Sequence, residues 1–162
     1  MAEMCKITYV VGDATLPLAE GEKIIAHICN DVGGWGAGFV LALSRRWKEP
    51  EECYLQWFNQ GTEAGFGLGC TQFVRMEDSI WVANMVAQTG LHPEAGVPPI
   101  RYRALGECLA TVALKAAEIG ASVHMPRIGC GLAGGTWDKV EPIISKQLCK
   151  KAVPVYVYDL PR

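Results

Sequence analysis

The residues in this chain best suited to chemistry sit in two glycine-rich loops, Gly33-Gly34-Trp35-Gly36-Ala37-Gly38 and Gly129-Cys130-Gly131-Leu132-Ala133-Gly134-Gly135. Each follows a short apolar run that reads as a strand, Ile24 to Cys29 and Val123 to Met125, and precedes a stretch with helical periodicity. That arrangement points backbone N–H groups and the positive end of a helix at an anion. Glycine suits it because a Cβ would hold the backbone away from phosphate oxygens and because several such positions need positive φ. One loop of this kind holds one phosphate. Two in a chain of 162 residues point to a diphosphate, and with it to a nucleotide-like ligand.

Other reactive side chains have plainer readings. Cys130 lies inside the second loop without a neighbouring base, which makes it a packing residue rather than a nucleophile. His27 and His124 fall within apolar strands and read as hydrogen-bonded core histidines. Neither they nor His92 share ligand spacing with the seven scattered cysteines, so no metal site is expected. Arg45, Arg46 and Lys48 form a small basic patch that reads as a solvated helix end.

The elements that must hold the loops alternate regularly. Ile7 to Val11 and Lys23 to Cys29 are β-rich runs expected to be largely buried strands. Phe39, Val40, Leu43 and Trp47 recur at helical spacing, and Pro50 with Glu51 and Glu52 starts a second helix. Cys70 to Met76 and Ile80 to Val86 flank Glu77-Asp78-Ser79 as a hairpin, followed by a Gly/Pro-rich loop to Pro99. Tyr102 to Ile119 is a helix closed by Gly120. Thr136 caps a last helix running to about Lys151, and Val153 to Tyr158 ends the pattern as a strand. The order β-β-α-α-β-β-α-β-α-β predicts one mixed sheet covered by helices on both faces, within a single domain spanning 1–162. In such sheets ligands bind at the carboxyl ends of strands, where both glycine loops fall.

Composition narrows the partners. With 15 Lys and Arg against 17 Asp and Glu, the net charge is -2, without the basic excess that duplex nucleic acid demands. No apolar run approaches membrane-spanning length, and the start Met1-Ala2-Glu3-Met4 is acidic with no apolar stretch behind it, so a cytoplasmic protein is expected. Seven cysteines without a C-x-x-C pair argue against a disulfide framework.

Gly12-Asp13 after the first strand, His27-Ile28-Cys29-Asn30 leading into Gly36-Ala37-Gly38, and above all Met125-Pro126-Arg127-Ile128-Gly129-Cys130-Gly131-Leu132 resemble the macrodomain family. Within it they are similar to the subclass that includes the terminal ADP-ribose glycohydrolase acting on ADP-ribosylated glutamate. The resemblance runs from about Ile7 to Leu160. It implies a three-layer α/β/α fold around a central mixed sheet, ADP-ribose as ligand without metal or other cofactor, and ADP-ribosylated proteins as partners of a monomer. By that resemblance Asp13 accepts the adenine amino group with Ala14 beside it, and Leu160 flanks the adenine. Asn30 faces the distal ribose. Gly36, Ala37 and Gly38, together with Arg127, Ile128, Gly129, Cys130, Gly131, Leu132 and the adjoining Ala133, wrap the diphosphate. Trp35, read as an exposed aromatic, either stacks on or shields the distal ribose or packs as part of a lid.

The relative's lysine and aspartate are replaced here by Ala87-Gln88 and Ala133, and no lysine lies between Lys48 and Lys115, so a Schiff-base route has no amine. The remaining catalytic candidates are Asp31, as a base or an orienter of water, with Asn30 and Gln88 positioning the ribose. Three functions follow from the resemblance: hydrolysis of ADP-ribose from glutamate and aspartate side chains, reading of ADP-ribose without turnover, and dephosphorylation of ADP-ribose 1″-phosphate.

Overall fold

The computed structural model describes residues 6–77 and 79–162. Met1-Ala2-Glu3-Met4 and Asp78, named above, lie outside the described residues.

Among the described residues, six strands form one sheet in the order β1-β6-β5-β2-β4-β3: β1 Thr8–Val11, β2 Lys23–Asn30, β3 Thr71–Glu77, β4 Ile80–Gln88, β5 Ser122–Met125 and β6 Val155–Asp159. The first five in that spatial order run parallel, and β3 is antiparallel to β4. The expected mixed sheet is therefore present. β1 departs from expectation: it is mostly exposed, because it takes the edge of the sheet and, among the described residues, pairs only with β6.

Helices cover both faces. α1 (Phe39–Arg46) and α2 (Glu49–Gln60) pack one face through Val40, Leu43, Tyr54 and Trp57, against Ile25, Cys29, Val82 and Val86 of the sheet. α3 (Tyr102–Ile119) buries the stripe Leu105, Cys108, Leu109, Val112 and Ala116 on the other face, at the three- and four-residue spacing that keeps one side of a helix inward. α4 (Trp137–Gln147) joins that layer through Val140 and Ile144. Alternation along β2 serves both cores, with Ile24 and Ala26 facing α3 and α4 while Ile25 and Cys29 face α1 and α2.

Boundaries differ in detail. Gly120 closes α3 in the left-handed region (φ 67°), as its lack of a Cβ allows. Thr136 holds the N-cap position of α4 with extended backbone, yet its hydroxyl makes no capping bond. The helix stops at Gln147, four residues short of expectation, and a 3-10 turn Cys149–Lys151 finishes the segment. Arg46 is more than a solvated helix end, because it donates to Thr15 O and pairs with Glu77 at 2.6 Å. No disulfide joins the six described cysteines.

Candidate functional site

Five parallel strands deliver a row of side chains from their carboxyl ends. In sheet order these are Asp13 after β1, Leu160 after β6, Arg127 after β5, Asn30 at the end of β2 and Gln88 at the end of β4. Four strand spacings of about 4.8 Å put roughly 19 Å between the two ends of the row. The site thus suits an extended ligand with chemically different ends.

A cleft of about 430 Å³ occupies the middle and far parts of that row. Of the residues expected at the site, Asn30, Trp35, Gly36, Ala37, Gly38, Gln88, Arg127, Ile128, Gly129, Gly131, Leu132 and Ala133 line it. Its walls are the two glycine loops. Among the described residues, the N–H groups of Gly36, Ala37 and Gly38 and those of Gly131, Leu132 and Ala133 find no backbone acceptor, as an anion site requires. Gly38 enters α1 with φ 82°, aiming the first turn of that helix into the cleft. Gly129 has φ 77°, and a Cβ there would sit 2.5 Å from Ile100 Cδ1, so its glycine serves the packing under the loop as much as the ligand.

Asn30 organises the first loop. Its Oδ1 accepts the N–H groups of Val32 (3.0 Å) and Gly34 (2.9 Å), and its Nδ2 donates to Gly34 O (2.8 Å). Tyr54 supports it from α2, donating to Asn30 O at 2.7 Å while accepting the Gly33 N–H at 3.1 Å. Burial and the nearby Cys29 thiol push the Tyr54 phenol well above its ordinary pKa, so it stays a donor.

Trp35 is buried rather than exposed, at 7% accessibility. Its indole N–H donates to Ser44 Oγ (2.8 Å), and its ring packs edge-on against His27 and tilted against Tyr54. The arrival of α1 and α2 over the loop turns this aromatic into core, and it reaches the cleft only as part of the wall.

The near end of the row lies outside the cleft. Asp13 Oδ1 accepts both the N–H and the hydroxyl of Thr15 at 2.8 Å, which shapes the turn and fixes the carboxylate. Ala14 is buried beside it, and Leu160 is 71% exposed. The Gly12 N–H to Asp159 O bond (2.8 Å) holds this turn against the end of β6. Arg127 bridges towards the cleft: it binds Asp159 with two bonds (2.7 and 2.9 Å), and its guanidinium lies 5.1 Å from the ring centres of both Tyr9 and Trp137. Those bonds raise the Arg127 pKa and lower that of Asp159, leaving both charged.

Asp31 does not line the cleft. Its Oδ1 accepts the Gly90 N–H at 2.9 Å, and Gln88, which does line the cleft, donates its Nε2 to the Gly90 carbonyl at 2.9 Å. Two of the expected catalytic groups therefore staple the start of the 89–101 loop. The other end of that loop is held by Ile100 N–H to Ala133 O (3.0 Å) and Arg101 N–H to Ala87 O (2.8 Å). Cys130 also stays out of the cleft wall, with its thiol donating to Ile128 O at 3.5 Å. Burial raises its pKa, which fits a packing role.

Sequence reasoning passed over Leu91 and His92, which the 89–101 loop brings to the far end of the cleft. His92 is exposed, and among the described residues no partner holds its ring. The signal available for it was its place in a Gly/Pro-rich loop between β4 and α3. Also among the described residues, no group of three or more His, Cys, Asp or Glu is arranged to hold a metal, and no helix is long and apolar enough to cross a membrane.

No family model matches the chain. Among curated proteins it is 34% identical over 165 residues to mouse (Mus musculus) chromodomain-helicase-DNA-binding protein 1-like, covering 96% of this chain but only 18% of that protein, so the chain spans less than a fifth of that relative's length. It is 22% identical over 176 residues to the ADP-ribose 1″-phosphate phosphatase of Meyerozyma guilliermondii, covering 95% of this chain and 99% of that one. Among solved structures it superposes with a TM-score of 0.85 on a macrodomain protein from Streptomyces coelicolor, at 55% identity over 95% of this chain and 99% of the other. With over half its residues identical across a whole solved macrodomain, and with the three-layer sheet and paired glycine loops in place, this chain belongs to the macrodomain family.

Proposed function

We propose that this macrodomain binds ADP-ribose and hydrolyses it from modified acidic side chains of proteins. The observation that carries the reading is the row of strand ends: a carboxylate at β1 suited to an exocyclic amine, two loops of free N–H groups in the middle, and a polar far end at β2 and β4. Adenine, diphosphate and distal ribose have that order and about that length. The scissile ester then lies at the far end, beside Asn30, Gln88 and His92.

Cleavage there needs a positioned water and stabilised charge. Water oxygen bonds to the anomeric carbon, the bond from that carbon to the carboxyl oxygen breaks, and the side chain leaves as a carboxylate. The proton lost by the water passes to His92 or to the diphosphate of the substrate. Because Asp31 is engaged with Gly90, it supports the 89–101 loop rather than the water.

The relationship to a fungal ADP-ribose 1″-phosphate phosphatase supports a second reading, removal of a phosphate from the same anomeric position. Incubating the protein with glutamate-, serine- and arginine-linked ADP-ribose and with ADP-ribose 1″-phosphate separates these. Release from the glutamate linkage alone is the expected result. Release of phosphate alone establishes the second reading, and tight binding without turnover on any of the four establishes a reader.

A further inference from the structure

Below the cleft runs a chain of buried polar groups whose hydrogen positions are fixed at one end by backbone carbonyls. Gln72 donates its Nε2 to Cys53 O (3.0 Å), so its Oε1 faces Asn84 and accepts the Asn84 Nδ2 at 3.0 Å. Asn84 Nδ2 also donates to Pro50 O at 3.2 Å. A carbonyl can only accept, so the Asn84 amide has one orientation, and its Oδ1 faces His27 Nε2 at 2.5 Å. That oxygen also only accepts. His27 therefore carries its hydrogen on Nε2, and Nδ1 is left with a bare lone pair.

Among the described residues, His27 Nδ1 is a buried side-chain polar atom without any partner. His27 is 1% exposed, yet it lines the cleft, with the rings of Trp35 and Phe39 beside it at 5.4 and 5.9 Å. A buried acceptor left unpaired is costly, and such groups are almost always satisfied. Burial holds the imidazole pKa down at about 4, so the ring stays neutral and cannot answer a phosphate by taking a proton. What satisfies it is a donor, and in this aromatic wall an uncharged one.

We propose that His27 Nδ1 is the acceptor of a hydroxyl subsite, taking a hydrogen bond from an O–H on the distal sugar of the bound ligand. The assignment to the sugar follows from the row of strand ends. His27 belongs to β2, which ends in Asn30, and β5 and β6 separate β2 from the turn at Asp13. The ligand piece over β2 is therefore the one opposite the base, and in ADP-ribose that piece carries free hydroxyls. The subsite rests on the ADP-ribose reading above and adds a contact that selects ADP-ribose over ADP. His27 is a binding residue here, and the Asn84–Gln72 relay is what aims its lone pair.

The direct measurement is long-range proton–nitrogen correlation on the histidine-labelled protein, free and with saturating ADP or ADP-ribose, alongside calorimetry of both ligands. The free protein is expected to show His27 protonated on Nε2 with a bare Nδ1. ADP-ribose should shift the Nδ1 resonance upfield, as hydrogen bonding does to a bare ring nitrogen, and ADP should leave it in place. A His27→Gln variant keeps an Nε2 donor for Asn84 but has no ring nitrogen at the Nδ1 position. It should lose on the order of tenfold in ADP-ribose affinity with ADP affinity unchanged. An Nδ1 already hydrogen-bonded in the free protein and unmoved by ADP-ribose identifies a resident water and overturns the sugar contact, as does an equal response to both ligands. Binding of ADP-ribose with an unmoved Nδ1 removes this inference alone; absence of ADP-ribose binding removes the functional reading with it.

Discussion

Asp31 and Gln88 hold opposite ends of one residue: the Asp31 carboxylate accepts the Gly90 N–H, and the Gln88 amide donates to the Gly90 carbonyl, each at 2.9 Å. Asp31 follows β2 and Gln88 ends β4, neighbouring strands whose register shifts between Cys29 and Asn30. A bulge of that kind re-aims the side chains that follow it. Here Asn30 faces the cleft and Asp31 faces the loop that carries Leu91 and His92.

This arrangement separates a latch from a base. Asp31→Asn keeps an oxygen for the Gly90 N–H and removes the proton acceptor, so turnover on a glutamate-linked substrate should stay within a few-fold of the parent. Asp31→Ala removes the latch and should cost about 0.5–1.5 kcal/mol of stability, with a raised KM. A catalytic base predicts instead that both variants lose about 10²- to 10⁴-fold in kcat. Steady-state kinetics on the pair decides between the two.

The glycines divide in the same way. Gly36 and Gly131 have open space where a Cβ would go and no positive φ, so Gly36→Glu and Gly131→Glu should fold with an unchanged Tm while abolishing ADP-ribose binding through bulk and like charge. Gly129→Val is a poor probe of the ligand, because it adds positive-φ strain to a clash with Ile100 and should lower Tm by several degrees. Calorimetry with thermal melts tests all three. Normal binding by both glutamate variants would move the diphosphate elsewhere.

The sequence carried the glycine clusters, the strand–loop–helix order and the hairpin, because each is local. The boundaries of α3 and its closing glycine were legible for that reason. What it did not carry depends on partners far along the chain. Trp35 is core only because α2 brings Tyr54 beside it, and Asp31 is a latch only because Gly90, 59 residues away, reaches its oxygen. The exposure of β1 follows from β6 returning to flank it and, among the described residues, no strand pairing with its other edge. His124 illustrates the opposite case. It reads as a satisfied core histidine and is one, bonded to Ser122 and Tyr158 at 2.8 Å and stacked on Tyr156.

His27 and His124 also set an acid limit. Burial lowers both pKa values from 6.5 to about 4, so between those values the unfolded chain binds more protons than the folded one. Stability from this source is complete above pH 6.5 and falls as pH drops towards 4, by at most about 1.4 kcal/mol per pH unit for each histidine. Urea midpoints at pH 7, 5.5 and 4.5 should decline steadily. A midpoint that is flat across that range would mean that one or both rings are charged in the folded state.

Arg127 should matter to the ligand more than to the fold. Its pair with Asp159 is exposed, and such pairs contribute at most about 1 kcal/mol to stability. Yet two bonds and two flanking rings hold the guanidinium at the cleft wall, ordered before any anion arrives. Arg127→Ala should therefore barely move Tm while weakening ADP-ribose by about 1.5–3 kcal/mol. Arg127→Lys should recover little, since an ammonium can reproduce neither the fork to Asp159 nor the planar stacking. Full recovery by lysine would reduce the role of Arg127 to net charge.

Asp13 offers a test of base recognition in which the sign of the effect carries the argument. One carboxylate oxygen is committed to Thr15 through two bonds of 2.8 Å, which fixes the plane of the group and leaves the other oxygen to accept from a ligand amine. In Asp13→Asn, the amide oxygen is held by the same two donors from Thr15, so the amide nitrogen is forced to the ligand side. A donor then meets the amino group of adenine, also a donor, and ADP-ribose should weaken by about 1–3 kcal/mol. Replacing adenine by hypoxanthine puts a carbonyl oxygen in that place, and the variant should bind the hypoxanthine analogue better than the parent does. Calorimetry of parent and variant against both ligands gives four affinities and one double difference. A crossed preference assigns the adenine to Asp13; a uniform loss on both ligands would show that Asp13 only shapes the turn, and would place the base elsewhere along the row of strand ends.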